Sequence, residues 1–397
     1  MPANFARRIK THRVKNICLL WHSAYPWDVR LEKFINTLSP SHGIFLLCKG
    51  KKGFPGQEEK DDIVIERVGT GGGILDYPLF VNPFWKRALH SMVERNHIGA
   101  LIVRDLPLMG LGIEAGRKYG IPVVFDMAEN YPAALVAYEK WPYKPFLVFN
   151  AFLPKLYERY AVRNASRVIV VTEEQRERIG GFRRSRGAKE SDIVLVSNTP
   201  VLSELPGGAP PETGGGSEKR LLYTGKVDIH RGVETAVRAV SILKKTRPEI
   251  KLVIAGTGRD IERLKKMTSA LGAAGNIEFV GWVPHDEMYA LIRKSHVCLI
   301  PHLKSEHTDT TLPNKLFDYM ALAKPVVSSD LAPVARILKE CACGVVYKSG
   351  DAEDLSAQIG SLLDGGAGLG ENGRKAVLNK YNWGEDSKRL RDAVGTL

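Results

Sequence analysis

The sequence predicts an α/β protein made of two Rossmann-like, doubly wound parallel-sheet domains facing a cleft. Short apolar runs alternate with helical patterns twice along the chain. A Pro/Gly-rich stretch separates the two series. At 397 residues the chain is too long for one ordinary core and long enough for two.

The first series places strands at Ile17–Trp21, Ile44–Leu47, Ile63–Val68, Ala100–Val103, Val123–Phe125, Val168–Val171 and Ile193–Val196. Each is a short aliphatic run of the kind buried in a parallel sheet. Helical periodicity lies between them, for instance at Met109–Tyr119 and Pro154–Arg163. Residues Pro206–Ser217, rich in Gly and Pro, cannot pack a core and read as a flexible connector; the other reading is a loop inside one domain. The second series has strands at Leu221–Thr224, Leu252–Ala255, Ile277–Val280, Val297–Ile300, Val326–Ser328 and Val345–Tyr347. Helices are expected near Val233–Lys244, Ile261–Leu271, Asp286–Lys294, Leu316–Leu322 and Asp354–Leu363. The expected division is 1–202, a connector 203–219, a second domain 220–375, and a tail 376–397 returning to the first. A ligand is expected at the C-terminal ends of the strands.

Apolar residues make up 44% and charged residues 25%, the profile of a soluble globular chain. The net charge of +13 admits nucleotides, phosphates or anionic lipid as partners. Nucleic acid is not expected, because no helix carries a basic stripe interleaved with aromatics. The cysteines, at 18, 48, 298, 341 and 343, lack the spacing of a zinc site and suit a reducing compartment. The basic stretch Arg7–Arg13 precedes an apolar run, Ile17–Trp21, too short for a signal peptide, and no segment has the apolar length to span a bilayer. A cytoplasmic protein is expected, touching the inner face of the membrane.

Three windows are candidate phosphate sites. In Tyr223–Gly232 a strand ends, Gly225 permits a sharp turn, and Lys226 and Arg231 lie five residues apart, able to clamp a diphosphate or simply to sit as solvated cations. In Asp309–Ala321, Thr311 is a candidate N-cap and Pro313 suits a first helical turn; Lys315 would add charge at an anion-binding helix start, and Asp318 could accept from ribose hydroxyls. The bland alternative is a surface ion pair between Lys315 and Asp318. Ala255–Asp260 begins like a dinucleotide fingerprint but lacks its third glycine, and Gly69–Gly73 also fails that spacing. Neither supports a dehydrogenase, and no Walker A lysine pattern occurs.

Taken in order, Gly225-Lys226 … Arg231-Gly232, Ile254–Gly258, Phe279–Pro284 and Asn314–Val327 resemble the retaining glycosyltransferases of the GT-B fold, in the large family numbered 4. Ile121–Asp126, Tyr157–Arg159, Val171–Glu174 and Tyr381–Trp383 extend the resemblance over most of the chain. It implies transfer of a sugar, with retention, from a nucleotide-sugar donor to a glycan or lipid-linked acceptor, in polysaccharide or glycoconjugate assembly and without a cofactor. It implies donor contacts at Gly225, Gly256, Val283, Thr310, Thr311, Leu312, Pro313, Lys315 and Asp318.

The family's paired glutamates correspond here to Thr310 and Asp318, so one carboxylate is missing, with Asp309 beside it as a substitute. Where many relatives carry a histidine after the Asp126 strand, this chain has Glu129, the candidate for that role. Leaving-group charge would fall to Lys226 and Arg231, because no Asp-any-Asp triplet is present to hold a metal. The first domain would bind the acceptor through the Trp21–Arg30 loop, with His22, Asp28 and Arg30 as contacts; His22 could equally make a structural hydrogen bond. The apolar stretch Trp141–Lys155, flanked by cations, could lie on a membrane or be a buried helix. Competing readings are a sugar-nucleotide epimerase of the same fold and a catalytically silent nucleotide-sugar-binding subunit.

Overall fold

A computed structural model describes residues 15–26, 28–61, 63–69, 82–137, 152–184, 192–206 and 218–397. The basic run Arg7–Arg13, Trp27, residues 70–73 of the glycine run, 141–151 of the apolar stretch and 207–217 of the connector lie outside the described residues. By their contacts the described residues form two units. The first takes those up to Val136, those between Lys140 and Val196, and Ser387–Leu397; the second takes Ala137 and Ser197–Asp386.

In the first unit the strands are β1 (Asn16–Ala24), β2 (Ile44–Lys49), β3 (Gln57–Lys60), β4 (Ile63–Val68), β5 (Ile98–Arg104), β6 (Val123–Met127), β7 (Arg167–Val170) and β8 (Ile193–Leu195). They lie in the order β3-β4-β2-β1-β5-β6-β7-β8, all pairs parallel except β3 with β4. Helices α1 (Val29–Leu38), α2 (Pro83–Arg95), α3 (Met109–Tyr119), α4 (Tyr131–Ala137), α5 (Phe152–Asn164) and α6 (Glu173–Arg184) connect them.

The apolar runs become the buried sheet because both faces are covered. Ile17, Leu19, Leu46, Leu101 and Val124 are almost wholly buried, each worth about 1.5–3 kcal/mol against exposure. Helix α3 stops where Gly120 turns left-handed at φ +66°, a conformation that costs glycine little. Edge strand β3 carries Gln-Glu-Glu-Lys and so leaves no apolar signal in the sequence.

In the second unit β9 (Lys219–Thr224), β10 (Ile250–Ala255), β11 (Ile277–Gly281), β12 (Val297–Ile300), β13 (Val326–Ser329) and β14 (Gly344–Tyr347) form a fully parallel sheet. Its order is β11-β10-β9-β12-β13-β14. The helices are α7 (Val233–Leu243), α8 (Ile261–Ala270), α9 (His285–Lys294), α10 (Lys315–Ala321), α11 (Ala332–Cys341), α12 (Ala352–Gly365) and α13 (Leu369–Asn379). A last helix, α14 (Trp383–Gly395), begins in this unit and ends in the first.

In both sheets the chain winds outward from a founding strand and then returns to that strand's other side. The switch falls between β1 and β5 in the first unit and between β9 and β12 in the second. Carboxyl ends at such a point diverge and leave a crevice, the usual ligand position in open α/β sheets. Among the described residues no helix is long and apolar enough to cross a membrane.

Candidate active site

At the switch point of the second unit, three loops are locked together by backbone. The Gly225 N–H donates to the Ala255 carbonyl at 2.8 Å, and the Val227 N–H to the Thr257 carbonyl at 2.9 Å. A Cβ on Gly256 would stand 1.8 Å from the Gly225 oxygen, and one on Gly258 2.0 Å from the Val227 oxygen. The Gly-Thr-Gly sequence is therefore required by loop-to-loop packing, which accounts for it without a phosphate. Gly232, at φ +63°, comes equally close to Pro301, the residue after β12: a Cβ there would lie 1.8 Å from the Pro301 oxygen.

This lock brings two cations together. Arg231 closes a 3-10 turn, Ile229–Arg231, half-buried, and its Nε has no hydrogen-bond partner among the described residues. The Lys315 ammonium, at the first position of α10, lies 4.1 Å from the centroid of the Tyr223 ring and covers Gly225. Burial holds the Lys315 pKa well below the usual lysine range, and the Arg231 charge pushes it lower still; Asp318 pulls it back. His302, just after β12, is buried in the same nest. Burial first, then Lys315 and Arg231, keeps it neutral, and its Nε2 has no hydrogen-bond partner among the described residues. His302 carries no periodic signal along the chain and is marked only by its place just beyond a strand end. Beneath, the Tyr319 hydroxyl accepts the Thr224 N–H at 3.0 Å and fixes α10 to the end of β9.

The pairing of cations differs from the expected one. Lys226 does not join Arg231: its side chain is 70% exposed, and its ammonium lies 4.0 Å from Asp228, which also accepts the Arg259 N–H at 3.2 Å. Arg231 converges with Lys315 instead. Thr311 is not the N-cap. Its backbone is extended and its hydroxyl donates to the His307 carbonyl at 2.9 Å, while α10 begins after Asn314. Thr310 is buried with its hydroxyl donating to the Glu306 carbonyl at 2.9 Å. Asp309 does not replace the missing carboxylate, because it caps α11 by accepting the Ala332 N–H at 2.9 Å. Leu312 and Val283 are half-buried against the unit's apolar core, Pro313 accepts the Leu316 N–H at 3.0 Å, and the exposed side chain beside Val283 is Trp282. Asp318 is half-buried on α10, one turn from Lys315.

In the first unit β1 runs through Ala24, so His22 belongs to a strand and not to a loop. Asp28 caps α1 by accepting the Leu31 N–H at 2.8 Å and is hydrogen-bonded to Arg104. Arg30 is corrected as an open acceptor contact. It is buried, its Nε and Nη2 donate to both Asp126 oxygens at 2.6–3.2 Å, and its Nη1 donates to the Val196 carbonyl at 3.0 Å. A guanidinium so engaged ties α1 to β6 and the end of β8, and breaking the pair would strand a buried charge.

What remains at the switch point is a polar cluster. Register sets Trp21 of β1 beside Arg104 of β5, and Arg104 beside Asp126 of β6. Asp105 follows at φ +59°, its N–H donating to the Asp126 carbonyl at 3.0 Å. It is 8% exposed. Burial raises its pKa to about 7, with Glu129, Asp126 and Asp28 adding repulsion and Arg104 opposing. His22, depressed to about 4 by burial and by Arg104 and Lys49, stays neutral; its ring meets Tyr131 edge-on at 6.3 Å. Glu129 is half-buried in the turn between β6 and α4. Sequence reading missed Asp105 and Asn130, which have no motif around them. Among the described residues no group of three metal-ligating side chains occurs.

Residues 212–377 match the family model for glycosyl transferases group 1, and residues 36–199 match the glycosyl transferase 4-like domain. An uncharacterized glycosyltransferase of Methanocaldococcus jannaschii is 24% identical over 176 residues, covering 43% of this chain and 44% of that one. The glycogen synthase of Mycobacterium tuberculosis is 24% identical over 230 residues, 57% of this chain and 53% of that one. A phosphatidyl-myo-inositol mannosyltransferase of Mycolicibacterium smegmatis is 27% identical over 209 residues, 52% and 50%. The chain thus spans about half the length of the curated relatives it matches. In fold it is similar to a sucrose-phosphate synthase from Thermosynechococcus elongatus, at TM-score 0.73, 16% identity and coverage of 96% and 98%. It is likewise similar to Anabaena HepE, solved with UDP, at TM-score 0.71, 12% identity and coverage of 96% and 100%. These neighbours give the fold as GT-B.

Proposed function

Because the chain belongs to the group 1 glycosyltransferases, we propose that it moves a hexose from a nucleoside-diphosphate sugar to a glycan or lipid-linked acceptor, with retention and without a divalent metal. The observation that carries this is the convergence of Arg231 and Lys315 at the β9/β12 switch point. Two like charges held together in a half-buried site repel until an anion arrives. A diphosphate supplies that anion, and it gains negative charge as the glycosidic bond breaks, so the pair stabilises the transition state more than the ground state. The UDP complexes of HepE and the mannosyl transfer named for the Mycolicibacterium relative support a nucleotide-sugar donor.

In this reading Asp318, one turn along α10, accepts from the ribose, and Gly225 and Pro313 line the diphosphate. Lys226, long and exposed, closes on the phosphates from the solvent side. The segment that carries paired carboxylates in relatives has Thr310 turned to backbone and Asp309 on a cap, so the sugar hydroxyls are read elsewhere. The first unit carries the acceptor, with Glu129 as the candidate catalytic carboxylate in place of the histidine many relatives carry there. Helix α5 exposes Phe152, Leu153, Leu156 and Tyr160 beside Lys155 and Arg159, which supports peripheral contact with an anionic membrane surface from the cytoplasmic side.

A mass-spectrometric screen of nucleotide sugars, with and without a chelator, tests this. Nucleoside diphosphate should be released from one donor class at an unchanged rate in chelator. Complete, metal-reversible loss would reject metal independence. Binding of a nucleotide sugar with no turnover under any acceptor would favour the silent subunit.

A further inference from the structure

The diphosphate site makes no use of Cys341 and Cys343. Cys341 is the last residue of α11, and Cys343 stands just before β14. Between them Ala342 turns left-handed, at φ +46° and ψ +51°. That conformation mirrors a right-handed helical residue, so it sets its two neighbours at the helical spacing, about 5.4 Å between Cα atoms. A disulfide spans about 4.4–6.8 Å between Cα atoms. Backbone bonds hold this spacing from both sides. The Cys343 N–H donates back to the Leu338 carbonyl at 3.1 Å and the Ala342 N–H to the Lys339 carbonyl at 3.3 Å, a pair of bonds that closes the helix end. The Asn372 Nδ2 donates to the Ala342 carbonyl at 3.0 Å, and the Val326 N–H of β13 to the Cys343 carbonyl at 3.3 Å. A left-handed alanine costs about 1–2 kcal/mol, and these four bonds offset it.

The two sulfurs face each other and differ in character. The Cys343 thiol donates a hydrogen bond to the Cys341 sulfur, which lowers the Cys341 pKa; burial and the Glu340 charge oppose this, and Lys380 and Arg336, both paired with Glu340, favour it. The same bond, together with burial, raises the Cys343 pKa. Cys341 is half-buried and reachable from solvent, whereas Cys343 is wholly buried against Gly373 of α13. Cys18, Cys48 and Cys298 are buried, and burial pushes their thiols up, to about 12 at Cys18 and about 11 at Cys48. Among the described residues no group of three metal-ligating side chains occurs, so the pair lacks the further ligands of a metal centre.

We infer that Cys341 and Cys343 form an oxidative modification site, closed by a hydroperoxide to an intrachain disulfide and reopened by a thiol reductant. The inference stands apart from the glycosyltransferase reading. Cys341, as the thiolate, attacks one oxygen of the peroxide. The O–O bond breaks, the sulfur is oxidised to a sulfenic acid, and the other oxygen leaves as hydroxide and takes up the proton that Cys341 had released. The Cys343 sulfur then attacks the Cys341 sulfur, the S–O bond breaks, and the hydroxyl departs as water with the Cys343 proton. Two thiols and one hydrogen peroxide become one disulfide and two waters. A second thiol already in contact ends the oxidation at the disulfide instead of at the sulfinic acid. Because the backbone already holds the required spacing, closure needs only side-chain rotation.

The test is peptide mapping by mass spectrometry of the full chain, reduced, freed of reductant and treated with a small molar excess of hydrogen peroxide at neutral pH. Trypsin cleavage after Lys339 and Lys348 leaves both cysteines on one peptide, Glu340–Lys348. In most of the protein that peptide should become about 2 Da lighter, the mass of two hydrogens, and should regain them in dithiothreitol. On the reduced protein, iodoacetamide should label Cys341 at least about tenfold faster than Cys18, Cys48 or Cys298. Cys343→Ala should leave a sulfenic acid on Cys341 that dimedone traps, and Cys341→Ser should leave Cys343 untouched by the same peroxide. Should Cys343→Ala fail to fold, the wild-type map and Cys341→Ser decide the matter. A peptide that keeps its reduced mass, one that gains oxygen on Cys341 without a disulfide, a disulfide from either cysteine to Cys18, Cys48, Cys298 or a second copy of the chain, or equal labelling of all five cysteines overturns the inference.

Discussion

Asp105→Asn should make the protein more stable at pH 8 and leave it nearly unchanged at pH 4. The folded chain holds the Asp105 proton up to about 7, whereas an unfolded aspartate releases it near 3.8. Between these values the folded state binds one more proton than the unfolded state, so wild-type stability falls as pH rises from about 4 to about 7 and is flat beyond. A shift of that size corresponds to about 4 kcal/mol at about 1.36 kcal/mol per unit, and relaxation around the ionised carboxyl trims it to about 2–4 kcal/mol. Asparagine keeps the shape and a donor and removes the titration. The assay is urea unfolding of both proteins across pH 4.5–8.5, in steps of about half a unit, reading the difference between them so that all other titrations cancel. The difference should grow with pH in favour of Asn and level off above about 7. A flat difference, or one favouring wild type at high pH, would show that Asp105 is ionised in the folded chain and would refute the burial argument.

Four further outcomes follow from the same geometry. His22 is held neutral down to about 4 against a usual value of 6.5, so its linkage has the opposite sign. Wild-type stability falls as pH drops from 6.5 toward 4, and His22→Gln should remove that loss in the same urea series. Arg231→Ala and Lys315→Ala should each cost about 2–4 kcal/mol of activation barrier, while exposed Lys226→Ala costs less than about 1.5 kcal/mol; equal losses in steady-state kinetics would restore the Lys226–Arg231 clamp. Asp318→Asn should weaken intact donor and free nucleoside diphosphate alike by about 1.5–3 kcal/mol in calorimetry; loss for the donor alone would move Asp318 to the sugar. Gly256→Ala forces a Cβ to 1.8 Å from the Gly225 oxygen, so thermal unfolding should drop by several degrees and nucleotide binding should fall with it.

The strands, the order of the windows and the cation-bearing loop were legible in the sequence, because burial on both faces demands continuous aliphatic runs and tight loops demand glycine. Leu221–Thr224, Leu252–Ala255 and Val297–Ile300 all lie within strands found in the structure. Asp318 and Lys315 share α10 as their spacing required. The Trp21–Arg30 stretch, read locally as one polar loop, was divided by long-range contacts. Pairing with β2 and β5 carries β1 through to Ala24, and Asp126, 96 residues away, takes Arg30 into the core.

Residue types and spacing alone thus determine the α/β class, the two series of strands and the family, since these depend on local periodicity and short motifs. Which cations meet is a matter of sheet order. Arg231 pairs with Lys315, 84 positions later, only because β12 returns to the side of β9 opposite β10. Asp105 becomes a buried, proton-holding carboxyl for the same reason. Its immediate sequence, Arg104-Asp105-Leu106, is that of any surface turn, and only the placement of β5 between β1 and β6 removes its water and surrounds it with Asp28, Asp126 and Glu129. Electrostatic environment depends on distance in space and on exclusion of solvent, and neither is a property of a stretch of chain until the sheet has been assembled.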